Sequence, residues 1–221
     1  MTRAARDHVS PLQRRGLYAV TDDALIEPAR LVERVTQALR GGAVMVQYRD
    51  KSTNARRRLS EAQALCEVCR AHGALLIIND DVALARAVAA DGVHLGKDDA
   101  PLAQARRMLG EQVIIGLSCY NSLQRAVEAQ AAGADYVAFG RFFPSRTKPV
   151  AVAAGVELLR QAQTRLRIPR VAIGGITPDN GAALIEAGAD LLAVVHGVFG
   201  QPDPEAAACR YARLFTAPDP A

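Results

Sequence analysis

With 221 residues and half of them apolar, the chain can bury one large core, enough for a single barrel or at most two small domains. Only 5% of residues are aromatic and none is Trp, while Ala, Val, Leu and Gly dominate, as in buried parallel strands covered by Ala-rich helices. The net charge of +4 suits anionic ligands, but the basic residues are scattered with no aromatics between them, which argues against nucleic acid, and no apolar stretch approaches the ~20 residues of a membrane span.

The first fifteen residues carry Arg3, Arg6, Arg14 and Arg15 and lack the apolar run of a signal peptide. Residues 1–15 therefore read as a flexible tail, 16–216 as one domain and 217–221 as a second tail, in a protein expected in the cytoplasm. From Gly16 onward, short apolar runs alternate with longer amphipathic stretches, the pattern of repeated βα units. Eight runs are expected to be strands: Leu17 to Val20, Val44 to Arg49, Leu75 to Asn79, Gly92 to Leu95, Val113 to Ser118, Tyr136 to Gly140, Val171 to Gly174 and Leu191 to Val195. Each is followed by a helical pattern. Thr177-Pro178 and Asp99-Ala100-Pro101 offer a capping side chain ahead of a first-turn proline. Gly41-Gly42, Gly73, Gly110, Gly133 and Gly188 stand where helices should end. Cys66 and Cys69 form a C-x-x-C inside one helical pattern with no second pair nearby, so two reduced thiols are expected rather than a redox or zinc site.

An open doubly wound sheet would give the same alternation. The glycines decide for a compact (β/α)8 barrel: no G-x-G-x-x-G follows the first run, whereas glycines cluster after the seventh, where barrels build phosphate sites with the eighth.

In such a barrel the chemistry belongs at the carboxyl ends of the strands. In the second run, alternation puts Met45, Gln47 and Arg49 on one face, with Lys51 just beyond, and the polar members are placed to converge on an anion. The third run ends in Asn79-Asp80-Asp81, and the fourth is followed by Lys97-Asp98-Asp99. Carboxylates from neighbouring strand tops could share one Mg²⁺, which takes one or two carboxylates plus water and phosphate oxygens; ordinary cap chemistry is the equal alternative. Ser145, Thr147 and Lys148 lie in a long polar loop after the sixth run, which could hold a diphosphate or simply be surface. Gly174-Gly175-Ile176-Thr177 leads into a helix, and Val195-His196-Gly197 closes the last run, so backbone amides from both can hold a phosphate dianion. A phosphate cradle beside a cluster of cations, hydroxyls and acids implies two anionic ligands side by side, and transfer from a diphosphate.

The segment from about Gly16 to Phe215 resembles the thiamine-phosphate synthase family. The resemblance rests on Leu17-Tyr18-Ala19-Val20-Thr21-Asp22, Gln47-Tyr48-Arg49-Asp50-Lys51, Ile78-Asn79-Asp80, Asp91-Gly92-Val93-His94-Leu95-Gly96 with Asp99, Pro144-Ser145-Arg146-Thr147-Lys148, Ile173-Gly174-Gly175-Ile176-Thr177 and Gly188-Ala189-Asp190. It implies one Mg²⁺ per active site on Asp80 and Asp99, with Arg49, Lys51, Asn79 and Lys148 on the diphosphate. Gln47, Ser118, Ser145 and Thr147 would surround the pyrimidine diphosphate, and Gly175, Val195 and His196 would bind a thiazole phosphate through backbone amides. Arg49, Lys51, Ser118 and Lys148 are the residues expected to carry catalysis. The partners implied are these two small molecules, with neither nucleic acid nor membrane; a homo-oligomer is compatible. Lys97 and Tyr120 depart from the family pattern, which often has Gln and His there. His72 and His94 read as hydrogen-bonded scaffold. A thiazole phosphate tautomerase and a non-catalytic precursor sensor on the same barrel are the alternatives.

Overall fold

The computed structural model describes residues 15–144 and 152–216, and within them eight parallel strands close into a barrel in chain order. The strands are β1 (Gly16–Val20), β2 (Ala43–Tyr48), β3 (Leu75–Asn79), β4 (Gly92–Leu95), β5 (Ile114–Tyr120), β6 (Tyr136–Gly140), β7 (Arg170–Ile173) and β8 (Leu191–Val194). The helices are α1 (Leu31–Arg40), α2 (Ala55–Ala71), α3 (Val82–Ala87), α4 (Leu102–Leu109), α5 (Leu123–Ala131), α6 (Val156–Arg165), α7 (Pro178–Glu186), α8 (His196–Phe199) and α9 (Pro204–Ala212). β1 pairs with β8, Leu17 opposite Leu192, so the sheet closes without an edge. This is the expected (β/α)8 barrel. The expected tails at 1–15 and 217–221 lie, Arg15 apart, outside the described residues.

Strand alternation separates two apolar regions. Leu17, Ala19, Val46, Leu76 and Ile78 pack outward under the helices, whereas Tyr18, Val20, Met45, Ile77, Tyr136, Val171 and Leu191 fill the barrel interior. Met45 and Ile77 are wholly buried, and truncating either to Ala would cost about 2–5 kcal/mol. Gly116 is part of this packing: a Cβ there would stand 2.0 Å from Cζ of Tyr136, so its missing side chain is the slot that the Tyr136 ring occupies.

Several local expectations need correcting. Of the glycines expected to end helices, Gly42, Gly73, Gly110, Gly133 and Gly188 have φ between 66° and 105°, but Gly41 sits at −72°. Asp99 does not cap α4. Pro101 is the N-cap residue, with no side-chain cap bond, because Asp99 Oδ2 is turned back to accept from the Gly96 amide at 2.7 Å. β5 runs beyond Ser118, and its pairing with β6 shifts between Ser118 and Tyr120, so Cys119 forms a bulge beside Ser118. After β8 come two helices rather than one. Arg34, on α1 and only 9% exposed, donates to the carbonyls of Phe199, Gln201 and Pro202 at 3.0, 2.5 and 2.8 Å, satisfying the C-terminal end of α8 and the turn after it. Among the described residues, no helix is long and apolar enough to cross a membrane.

Candidate active site

The expected site residues within the described chain occupy the carboxyl-terminal mouth of the barrel, in three groups. The first is ionic. Arg49, one residue beyond β2, donates from Nη1 to Asp22 Oδ2 at 2.8 Å, and its amide donates to Thr21 Oγ1 at 2.8 Å. Lys51 Nζ donates to Asp80 Oδ2 at 2.5 Å, and Asn79 Nδ2 donates to the same oxygen at 2.7 Å. Each cation thus has its own carboxylate, and Gln47 bonds instead to the Tyr18 hydroxyl. The turn after β2 is braced from below, where Asp50 accepts from the Ser52 amide at 2.6 Å and from Arg57 at 2.5 Å.

Asp80 is held in a left-handed backbone conformation, φ 63°, with its amide bonded to the His94 carbonyl at 2.8 Å. Its carboxylate lies beside that of Asp99. Burial opposes ionisation of Asp80, but hydrogen bonds from Lys51 and Asp99 together hold it below the ordinary carboxylate range. Asp99 is pushed up, by burial and by the adjacent Asp80 carboxylate. Two oxygen-rich acids from adjacent strand ends are a donor set suited to a hard cation completed by water and phosphate oxygens. Among the described residues, no group of three or more His, Cys, Asp or Glu forms a protein-only metal cage.

The second group is neutral and buried. Gln47 Nε2 donates to the Tyr18 hydroxyl at 2.7 Å, and the Tyr18 and Tyr136 hydroxyls are 2.9 Å apart. Tyr136 Oη lies 2.9 Å from His94 Nδ1, and His94 Nε2 lies 2.9 Å from Ser118 Oγ. Gln47 and Ser118 are therefore the two ends of one hydrogen-bonded chain across the barrel. Arg125 holds the Ser118 carbonyl at 2.9 Å and lies 5.8 Å over the Tyr120 ring, whose hydroxyl accepts from the Lys97 amide at 3.2 Å. The two departures from the family pattern, Lys97 and Tyr120, touch each other here.

The third group is backbone. Gly174 and Gly175 have φ 106° and 64°. A Cβ on Gly175 would come within 2.3 Å of the Pro144 carbonyl oxygen, because the segment after β6 is laid over this turn by bonds from Phe142 N to Ile173 O and Phe143 N to Gly174 O, 3.2 and 3.0 Å. Next to it Val195 precedes α8, whose first amides, beginning at His196, have no acceptor within the helix. Pro178 opens α7, and Asn180 Oδ1 accepts from the Thr177 amide at 2.9 Å. Ser145, Thr147 and Lys148 lie outside the described residues; before them, the Arg141 backbone bonds to Val152 and Ala154 at 3.1 and 2.8 Å.

Tyr18, Tyr136, Asp22 and Arg125 were not singled out from sequence. Two of them signal nothing there, since a Tyr in a β-run reads as core, but Asp22 after the first run carried the same strand-end signal as Asp80. His94 is the hydrogen-bonded residue expected, with Ser118 as its partner.

The thiamine monophosphate synthase family model matches residues 17–198. A relative named thiamine-phosphate synthase from Thioalkalivibrio sulfidiphilus is 57% identical over 91% of this chain and 95% of its own length. One of the same name from Nitrosococcus oceani is 52% identical over 91% and 93%. The solved structure of thiamine phosphate pyrophosphorylase from Pyrococcus furiosus superposes with a TM-score of 0.83 at 36% identity, covering 94% of this chain and 96% of that one. The matched segment runs from β1 into α8 and takes in all three groups of the mouth, and the chain belongs to the thiamine monophosphate synthase family.

Proposed function

We propose that the mouth of this barrel transfers the hydroxymethylpyrimidine group of 4-amino-2-methyl-5-hydroxymethylpyrimidine diphosphate to the ring nitrogen of 4-methyl-5-(2-phosphooxyethyl)thiazole, giving thiamine monophosphate and pyrophosphate. The observation that carries this reading is the Asp80 carboxylate, which gathers Lys51, Asn79 and Asp99 beside a separate glycine-built cradle, as two anionic substrates require. The relatives give no support to a tautomerase or a sensor.

In this reading Asp80 and Asp99 hold one Mg²⁺, as their donor chemistry allows. The bound ion would neutralise charge on the departing pyrophosphate. Lys51, now on Asp80, and Arg49, now on Asp22, turn toward the diphosphate together with Asn79 and Lys148. The electron-rich aminopyrimidine stabilises the methylene cation left behind, so no protein nucleophile is required. Gln47 and Ser118, joined by Ser145 and Thr147, orient the ring, while amides at Gly175, Val195 and His196 hold the thiazole phosphate so that its nitrogen lies in line. Arg49, Lys51, Ser118 and Lys148 carry the chemical step by stabilising the leaving charge and the ring's pose.

The test is coupling of the two substrates by purified protein, with and without Mg²⁺, following both products. Metal-dependent formation of thiamine phosphate and pyrophosphate in equal amounts is expected. Equal rates in the presence of a chelator would remove the metal assignment, and no product at all would remove the reaction.

A further inference from the structure

The buried chain from Gln47 to Ser118 has a direction. An amide nitrogen only donates, so the Tyr18 oxygen accepts from Gln47. The Tyr18 proton then has Tyr136 Oη, 2.9 Å away, as its acceptor. The reverse direction would require the Gln47 amide to turn its oxygen to Tyr18 in place of the nitrogen that faces it. The Tyr136 proton in turn goes to His94 Nδ1, and a neutral imidazole accepting at Nδ1 carries its hydrogen on Nε2, which donates to Ser118 Oγ. The Ser118 oxygen thus accepts from inside, and its own proton is left for the mouth. Both phenols are fully buried, and burial raises their pKa well above the ordinary phenol value, so each keeps a proton to pass on. The geometry is enforced by packing: the Tyr136 ring stacks on His94 with centroids 5.5 Å apart, sits in the slot at Gly116, and meets Tyr18 edge-on.

We infer that Tyr136 is a positioning residue for the transfer reaction, which together with Tyr18 fixes His94 as the Nε2–H tautomer and so makes Ser118 a hydroxyl donor toward the pyrimidine diphosphate. The inference rests on the reading of Ser118 as a pyrimidine contact. It also names the chemistry Ser118 selects: a hydrogen-bond acceptor, such as an unprotonated ring nitrogen, and not an N–H group. Gln47, with its nitrogen committed to Tyr18, keeps its carbonyl oxygen for a substrate donor.

The test uses the full chain labelled with ¹⁵N-histidine, with His94 assigned among the four histidines by its loss in His94→Gln. Long-range proton–nitrogen spectra of the wild type should show His94 as pure Nε2–H. In Tyr136→Phe the His94 signals should move to a mixture of tautomers, and kcat should fall roughly tenfold, with the KM for the thiazole phosphate unchanged. Should Tyr136→Phe not fold, Tyr18→Phe should shift the spectrum in the same sense, and the wild-type spectrum decides by itself. An Nδ1–H tautomer in the wild type, or a Tyr136→Phe spectrum identical to wild type, would overturn the inference even with normal turnover. Lack of thiamine phosphate formation by the wild type would instead sink the functional reading, with the tautomer spectrum still deciding the chain's direction.

Discussion

The two sides of the barrel mouth present positive charge in opposite ways. On the β2–β4 side it comes from side chains, and each cation is paired with a carboxylate: Arg49 with Asp22, Lys51 with Asp80. On the β7–β8 side there are glycines at positive φ and the open amides of α8. A site made of side chains is altered by exchanging charge. A site made of backbone is altered only by adding atoms where none fit. In the proposed reaction the first would loosen its grip as the substrate's charge changes, because its cations have somewhere to return. The second would hold a phosphate that never reacts, for which a fixed cradle suffices.

Four experiments would break or sharpen this contrast. The largest effect is expected from Asp80→Asn, which removes the charge that Lys51, Asn79 and Asp99 surround. Turnover should fall by about 10²–10³-fold or more. The melting temperature should hardly move, because Asn is among the side chains that tolerate the φ of 63° found there. Near-normal turnover would dissolve the ionic half as described.

Gly175→Ala should act the other way round. A side chain at φ 64° costs roughly 1–3 kcal/mol, and its Cβ would press on the Pro144 carbonyl. Thermal unfolding should come several degrees earlier, and the KM for the thiazole phosphate should rise roughly tenfold while the KM for the pyrimidine diphosphate stays put. A uniform loss on both substrates would mean that the two halves are not separable. Arg49→Lys keeps the charge but loses the planar fork that meets Asp22, and kcat/KM should drop roughly tenfold without loss of stability. The smallest effect lies away from the mouth. Cys66, Cys69 and Cys119 are buried, and burial pushes the thiols of Cys69 and Cys119 up to about 12, whereas Cys209 is half-buried. A thiol reagent should label Cys209 first, with activity retained; early labelling of Cys66 and Cys69 would revive a role for their C-x-x-C.

The same contrast governs what could be read from the chain alone. Strands were legible because parallel strands buried on both faces are continuous apolar runs: β3, β4 and β6 fall where expected, and β2 and β7 begin one residue early. The fifth strand was misjudged because a bulge at Cys119 depends on pairing with β6, which no local pattern records. Asp99 was read as a helix cap as well as a metal ligand, and the nearby Gly96 amide decides against the cap. In the ionic half, charged residues at strand ends announce themselves, and so do glycines in the other half. Their partnerships do not: the Arg49–Asp22 pair joins residues 27 apart in the chain, and the Tyr18–Tyr136 contact joins residues 118 apart. Nothing in an apolar strand marks which partner a tyrosine hydroxyl will find.

The slot at Gly116 has a consequence for anyone who recombines barrels. Residues 116 and 136 sit on adjacent strands but are inherited through different βα units, so a chimera cut between β5 and β6 splits them. An incoming side chain at 116 would evict the Tyr136 ring, and an incoming small residue at 136 would leave a void beside His94. Crossovers in this barrel should therefore treat the two strands as a single cassette, even though each, by its own sequence, looks interchangeable with any other.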